Sequence, residues 1–173
     1  MFKLKSSFYW YILELFIYLV IVNKDIFQIH LRSVVFNVVS ILTGTGYVTK
    51  EFDQWGNFPL IFFLILMFIG GCAGSTTCGI KIFRLQMLVL FFSNQIKKLI
   101  YPSSVFVVKY NNQKISDSFI NSVIIFIFAY LFLFMFLSML LSITGLDFLS
   151  AISGAATAIS NVGPGLGGTI GPN

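Results

Sequence analysis

Two short glycine-bearing stretches hold most of the chemistry that this sequence can do. Thr43-Gly44-Thr45-Gly46-Tyr47 and Asn161-Val162-Gly163-Pro164-Gly165 contain no acid, base or strong nucleophile; what they offer is backbone carbonyl oxygen. Glycine admits backbone angles closed to other residues and leaves no side chain in the way, so such stretches can aim carbonyls at one axis. A ring of carbonyls that replaces an ion's hydration shell makes a cation filter, notably for potassium. The candidate ion-facing residues are Thr43, Gly44, Thr45 and Gly46 in one stretch and Asn161, Val162 and Gly163 in the other. An ordinary capping turn accounts for either stretch alone. It does not account for both at one offset: with Gly46 and Gly163 117 residues apart, Ser33 falls on Ser150, Ser40 on Thr157, and Thr43 on Ser160.

A third stretch, Gly70-Gly71-Cys72-Ala73-Gly74-Ser75-Thr76-Thr77-Cys78-Gly79, interrupts an apolar run with four glycines and three hydroxyls. Small residues also let helices pack closely in membranes, which is the plainer account of such a break. The remaining polar residues suggest little chemistry. Glu14 lies in an apolar run, where pairing with a neighbouring polar helix is its expected role. Asp147 suits the N-cap of the helix that follows it. Lys81 and Arg84 share a helix face and read as anchors on the positive side of a membrane. His30 has no metal partners, and Cys72 and Cys78 read as small buried residues rather than a redox or zinc pair.

The elements that must position these stretches follow from hydropathy. Residues 4–22, 58–98 (broken at the glycines) and 119–143 have the length and apolarity of membrane spans. Two shorter stretches, 31–42 and 148–160, are too short to cross and read as re-entrant or buried helices. Irregular backbone at membrane depth is tolerated only where it lines water or is packed in protein. Each short helix therefore delivers its C-terminus, the negative end of its dipole, to a carbonyl-bearing loop.

Composition supports the bilayer. Of 173 residues 57% are hydrophobic and 10% charged, and Phe alone contributes 21. So few charges cannot supply the polar skin of a soluble domain. The net charge of +5 reflects eleven Lys and Arg against six Asp and Glu. Basic residues concentrate at 81–117, which places that segment and the N-terminus in the cytoplasm and residues 23–33 and 48–57 outside. No aromatic residues interleave with a basic face, so nucleic acid is not an expected partner. The run from Gly163 to Gly168 fits a dinucleotide-binding pattern only formally, since no strand precedes it, and Ile80 stands where a P-loop needs lysine. Without a carboxylate pair, Ser-His-Asp set or metal cluster, an enzyme is not expected, nor a cofactor.

Three motifs in order, Ser40 to Tyr47, Gly70 to Thr76 with Gly79-Ile80-Lys81, and Gly145-Leu146-Asp147-Phe148 leading to Asn161 through Gly167, closely resemble the Trk/Ktr/HKT potassium transporter family, above all its TrkH-like membrane subunits. The resemblance implies an all-α polytopic membrane protein of M1–pore helix–M2 repeats with re-entrant pore loops. One repeat covers residues 1–98, a cytoplasmic linker 99–118, and a second repeat lacking its M2 covers 119–173. It also implies a flexible gate below the filter, formed by Gly70, Gly71, Gly74, Ser75, Thr76 and Gly79. Potassium is then the transported ion, the bacterial inner membrane the location, and a homodimer with a cytoplasmic TrkA-like nucleotide-binding subunit the assembly. The chain matches the third and part of the fourth of the family's four repeats, so a partial pore subunit is expected. A non-conducting remnant or membrane interaction module is the alternative, and sodium selectivity a weaker one. Gly44 and Cys78 stand where the family more often has Thr and Gly, and the basic residue beneath the filter on the last M2 has no counterpart.

Overall fold

A computed structural model describes residues 31–71, 74–103, 109–110 and 113–171. The expected first span at 4–22, with Glu14, lies outside the described residues, as does His30. Helix α1 (Leu31–Thr43) is followed by a single 3-10 turn (Phe52–Gln54) and by α2 (Asn57–Phe68). A two-residue strand β1 (Ile69–Gly70) pairs in parallel with β2 (Ile80–Lys81), and α3 (Ile82–Ile100) leaves directly from β2. Strands β3 (Lys109–Tyr110) and β4 (Gln113–Lys114) pair antiparallel within the expected linker. The last helices are α4 (Asp117–Ile143) and α5 (Phe148–Ser160).

Helix α4 shows why this chain needs a membrane. Its 27 residues extend about 40 Å at the α-helical rise, more than the hydrocarbon core of a bilayer. Asp117, its only charge, sits in the first turn, where the helix dipole favours an anion. Ser116 caps the start by accepting from the Phe119 amide at 3.4 Å. Phe128, Phe132, Phe136 and Met139 are all more than half exposed, as side chains meeting lipid would be. Among the described residues α4 alone is long and apolar enough to span. The expected second span is two pieces, a 12-residue α2 and a 19-residue α3. Pro59 falls in the first turn of α2, where its missing N–H costs nothing.

Between α2 and α3 the chain makes an unusual excursion. Parallel strands normally require a crossover of a dozen residues or more. Here the segment 71–79 leaves β1, reverses, and returns to lay β2 alongside β1 in the same direction. Glycine makes this possible: a Cβ on Gly70 would collide with the Cys78 carbonyl, and Gly79 holds φ at +84°.

A single apolar core joins the two halves of the chain. Val34, Val38, Ile41 and Leu42 of α1 and Phe63, Leu66 and Met67 of α2 pack with Ala156 of α5 and with Val162 and Leu166 beyond it. Helix α4 supports α5 from the other side, where Tyr130 and Ser160 share a buried hydrogen bond of 2.6 Å. Phe68 meets Phe134 edge-on, with ring centroids 4.9 Å apart. Lipid tails are as apolar as Val34, Val38, Phe63 and Leu66, so it is close packing rather than removal from water that holds these side chains together. The short helices are thereby fixed to each other through α2.

Candidate functional site: two glycine loops in contact

The two short helices match residue for residue. Each has 13 residues, and α5 begins and ends 117 positions after α1. Beyond each helix the chain follows the same backbone course. The Thr45 amide donates to the Ser40 carbonyl at 2.9 Å, and the Val162 amide donates to the Thr157 carbonyl at 3.2 Å. Gly44 (φ +67°) and Asn161 (φ +51°) are both left-handed, and so are Gly46 (φ +76°) and Gly163 (φ +111°). Left-handed backbone is easy for glycine and tolerable for asparagine, which explains these residue types at these positions.

The loops then meet. A Cβ on Gly46 would collide with the Val162 carbonyl oxygen, and one on Gly163 would stand 3.4 Å from the Gly46 Cα. A Cβ on Gly44 would lie 3.8 Å from the Asn161 carbonyl oxygen. Thus Gly44, Gly46, Asn161, Val162 and Gly163, distant in sequence, come together backbone against backbone. At the entry to the first loop the Thr43 hydroxyl donates to the Val39 carbonyl at 2.8 Å and stands 2.6 Å from the Thr45 hydroxyl. In the second loop the Gly163 carbonyl accepts the Thr157 hydroxyl at 3.1 Å. No group of three or more His, Cys, Asp or Glu side chains that could hold a metal ion exists among the described residues.

Each loop is tied back to its helix by a buried polar side chain that composition and spacing do not single out. Asn37 is fully buried, donates to the Lys50 carbonyl at 3.2 Å, and accepts from the Thr49 amide at 3.0 Å. Ser153, also fully buried, accepts from the Leu166 amide and donates to the Leu166 carbonyl, both at 2.9 Å. A buried amide or hydroxyl is stable only when so bonded. Polarity inside an apolar helix face is the one sequence signal that could have found them. At the N-terminal end of α5, Asp147 caps the helix by accepting from the Ser150 amide at 3.2 Å. Hydrogen bonds from the Ser150 hydroxyl and amide hold its carboxyl below the ordinary aspartate range.

The 71–79 segment lies directly against the first loop. The Thr77 methyl stands 3.4 Å from where a Gly44 Cβ would be. The Gly71 amide donates to the Thr77 hydroxyl at 2.8 Å, the Ser75 and Thr77 hydroxyls are 2.6 Å apart, and the Lys81 ammonium donates to the Ser75 carbonyl at 2.6 Å. Of the expected gate residues, Gly70, Gly71, Ser75 and Gly79 share this small network. Gly74 has open space around it, and Thr76 is exposed. Thr77 and Lys81 belong to the network although the gate set omits them. Lys81 therefore does more than anchor a helix end, and Arg84 stacks 3.7 Å over the Phe126 ring. Cys78 is exposed, which corrects the expectation of a buried thiol. It sits in a turn whose backbone, not its side chain, makes the close approach to Gly70.

Comparison with known proteins gives this geometry a family. The family model for TrkH, a cation transport protein, matches residues 10–172. The chain belongs to that family. It is a family of membrane transporters, not of enzymes. The chain is 47% identical over 142 residues to the Trk system potassium uptake protein TrkI of Halomonas elongata, covering 82% of this chain and 29% of that protein. It is 38% identical to the Trk system potassium uptake protein TrkH of Vibrio parahaemolyticus, over 76% of this chain and 27% of that one. The crystal structure of the potassium transporter TrkH from Vibrio parahaemolyticus superposes with a TM-score of 0.73 at 37% identity, covering 80% of this chain and 30% of that one. The chain thus spans less than a third of the relatives it matches.

Proposed function

We propose that this chain supplies two strands of a carbonyl-lined potassium pathway in the bacterial inner membrane, as part of a TrkH-like pore. Carbonyls of Thr43 to Gly46 and of Asn161 to Gly163 coordinate the ion, and residues 71–79 gate the pathway from below. The observation that carries this reading is the contact of Gly46 with Val162 and Gly163, which brings two like-shaped glycine loops to one place. The negative ends of the α1 and α5 dipoles lead into that place, which favours a cation. Potassium rather than sodium is supported by the names of the relatives at 47% and 38% identity.

Because the chain spans under a third of those relatives, the complete pathway is proposed for the chain together with further pore segments. A second copy and a cytoplasmic TrkA-like nucleotide-binding subunit complete the proposed assembly, with the N-terminus and residues 81–117 on the cytoplasmic side. The test uses a bacterium lacking its own potassium uptake. Residues 31–171, exchanged for the matching segment of the Halomonas elongata relative, restore growth at low potassium, and the chain alone does not. A hybrid that reaches the membrane and carries sodium but not potassium overturns the ion assignment. One that carries neither overturns the pathway, leaving a non-conducting interaction module.

A further inference from the structure

The polar network in residues 71–81 is built around one long side chain. Lys81 lies in β2, where the loop closes, and reaches six residues back to donate to the Ser75 carbonyl at 2.6 Å. From Ser75 the contacts continue without a gap. Its hydroxyl meets the Thr77 hydroxyl at 2.6 Å, the Thr77 hydroxyl accepts from the Gly71 amide at 2.8 Å, and the Thr77 methyl rests against Gly44. The base of the loop is fixed by the β1–β2 pairing and by glycine backbones too close for a Cβ. Toward its tip, Gly74 has open space where a Cβ would stand and Thr76 is exposed. The lysine bond to Ser75 is charge-assisted, and such bonds are about twice as strong as neutral ones.

We propose that Lys81 is a positioning residue that latches the 71–79 loop, its ammonium on the Ser75 carbonyl holding Thr77 against Gly44 and so setting how far the loop intrudes below the filter. This rests on the carbonyl pathway proposed above and assigns its regulation to one side chain. Lysine suits such a latch, because its ammonium is a compact cation on a flexible stem and can leave one carbonyl and return to it. The carbonyl that it holds belongs to the main chain, so the latch pulls on the backbone of the loop and carries Thr77 with it. Release moves Thr77 away from Gly44 without disturbing α1, which is held separately by Asn37.

Hydrogen exchange on the chain in lipid nanodiscs, read by mass spectrometry, tests the latch without any need for transport. Lys81→Gln speeds exchange across residues 71–79 by about ten-fold, the loss expected for one charge-assisted bond. Exchange in α5 and in the rest of α3 stays unchanged, which shows that the variant has folded. Lys81→Arg restores slow exchange, because arginine can also donate to the Ser75 carbonyl. A second variant, Thr77→Val, keeps the methyl contact but removes the acceptor for the Gly71 amide, and it too speeds exchange in 71–79. Unchanged exchange in Lys81→Gln, or an arginine variant as fast as the glutamine one, overturns the latch.

Rubidium flux through the hybrid transporter supplies the readout that a merely structural lysine would not give. Lys81→Gln raises flux through the hybrid several-fold and Lys81→Arg leaves it near the parent value, whereas structural damage lowers it. Reduced flux with Lys81→Gln overturns the latch. A parent hybrid with no flux at all, beside the expected exchange pattern, overturns the pathway and leaves the latch standing.

Discussion

Where α1 sends Val34 and Val38 into the core, α5 at the same register sends Ala151 and Ala155. The two helices share length, backbone course and left-handed positions, yet they are held by opposite means. Helix α1 packs with large side chains and reaches the segment after its loop with the long arm of Asn37, twelve and thirteen residues ahead. Helix α5 is built of Ala, Ser and Gly, so its neighbours come close: a Cβ on Gly154 would stand 2.9 Å from the Ile170 Cδ1. A short hydroxyl, Ser153, then suffices to grip Leu166. The loop geometry is the constraint that both halves meet, and the tether is free to differ.

The loop contact itself is the most sensitive place to break that comparison, because it is unequal. Gly46→Ala drives a methyl into the Val162 carbonyl at a positive φ, and it is expected to cost about 3 kcal/mol or more. Gly163→Ala meets the Gly46 Cα and carbonyl oxygen without collision, at 3.4 and 3.9 Å, so it is expected to cost about 1–2 kcal/mol, mainly the left-handed penalty. Thermal unfolding in detergent should rank the two in that order, and the hybrid's rubidium flux should fall further for Gly46→Ala. The reverse ranking would mean that the second loop, not the first, is the tighter side of the contact.

The tethers come next. Asn37→Ala removes two hydrogen bonds, to the Thr49 amide and the Lys50 carbonyl, and leaves a gap at a buried position, and it is expected to cost about 2 kcal/mol. Ser153→Ala strands the buried Leu166 amide, while the Ser150 hydroxyl still reaches the Leu166 carbonyl, and about 1–2 kcal/mol is expected. If equilibrium unfolding shows no loss for Asn37→Ala, the claim that a polar side chain ties the loop to α1 falls. A finer contrast lies three residues before the end of each helix. Thr157 donates to the Gly163 carbonyl, whereas the Ser40 hydroxyl, its counterpart at the 117-residue offset, is buried with no partner among the described residues. Thr157→Val should therefore cost about 1 kcal/mol. Ser40→Ala should be neutral or slightly stabilising, since it removes an unpaired polar group. Both are read as shifts in the unfolding midpoint.

Much of the comparison is legible in the residues alone, for physical reasons. Glycines at 44, 46 and 163 and the asparagine at 161 mark positive φ, and hydroxyls recurring at one offset mark the helix face turned toward the loops. Periodicity and length then bound the short helices to within a residue. The tethers are not legible in the same way. Asn37 looks like an isolated polar residue in an apolar stretch, because its partners are backbone groups whose place depends on how the chain turns after Tyr47. Lys81 beside a hydrophobic helix reads as a membrane anchor until the parallel pairing of β1 and β2 brings Ser75 back over it. Cys78 misleads in the other direction, since a small residue among glycines suggests burial whereas the turn exposes it.

The smallest expected effect concerns the N-terminal end of α5 and its dependence on pH. The Asp147 carboxylate accepts from Ser150 and is held below its ordinary pKa, so folding stabilises its charged form. Such a group contributes stability that is present above the unfolded pKa and is lost as pH falls through the lower folded value. The window therefore opens near the ordinary aspartate range of about 4 and extends downward. The position of α1 that matches Asp147 lies outside the described residues, so the cap of α5 is compared with the body of its own helix. Hydrogen exchange at the first turn of α5 should quicken relative to the middle of that helix as pH drops through that window, after correction for the intrinsic rate. Asp147→Asn keeps a capping side chain without the titration, and it should flatten the pH response while leaving the helix in place. If the variant still tracks pH as the parent does, the sensitivity lies elsewhere and the Asp147 cap does not carry it.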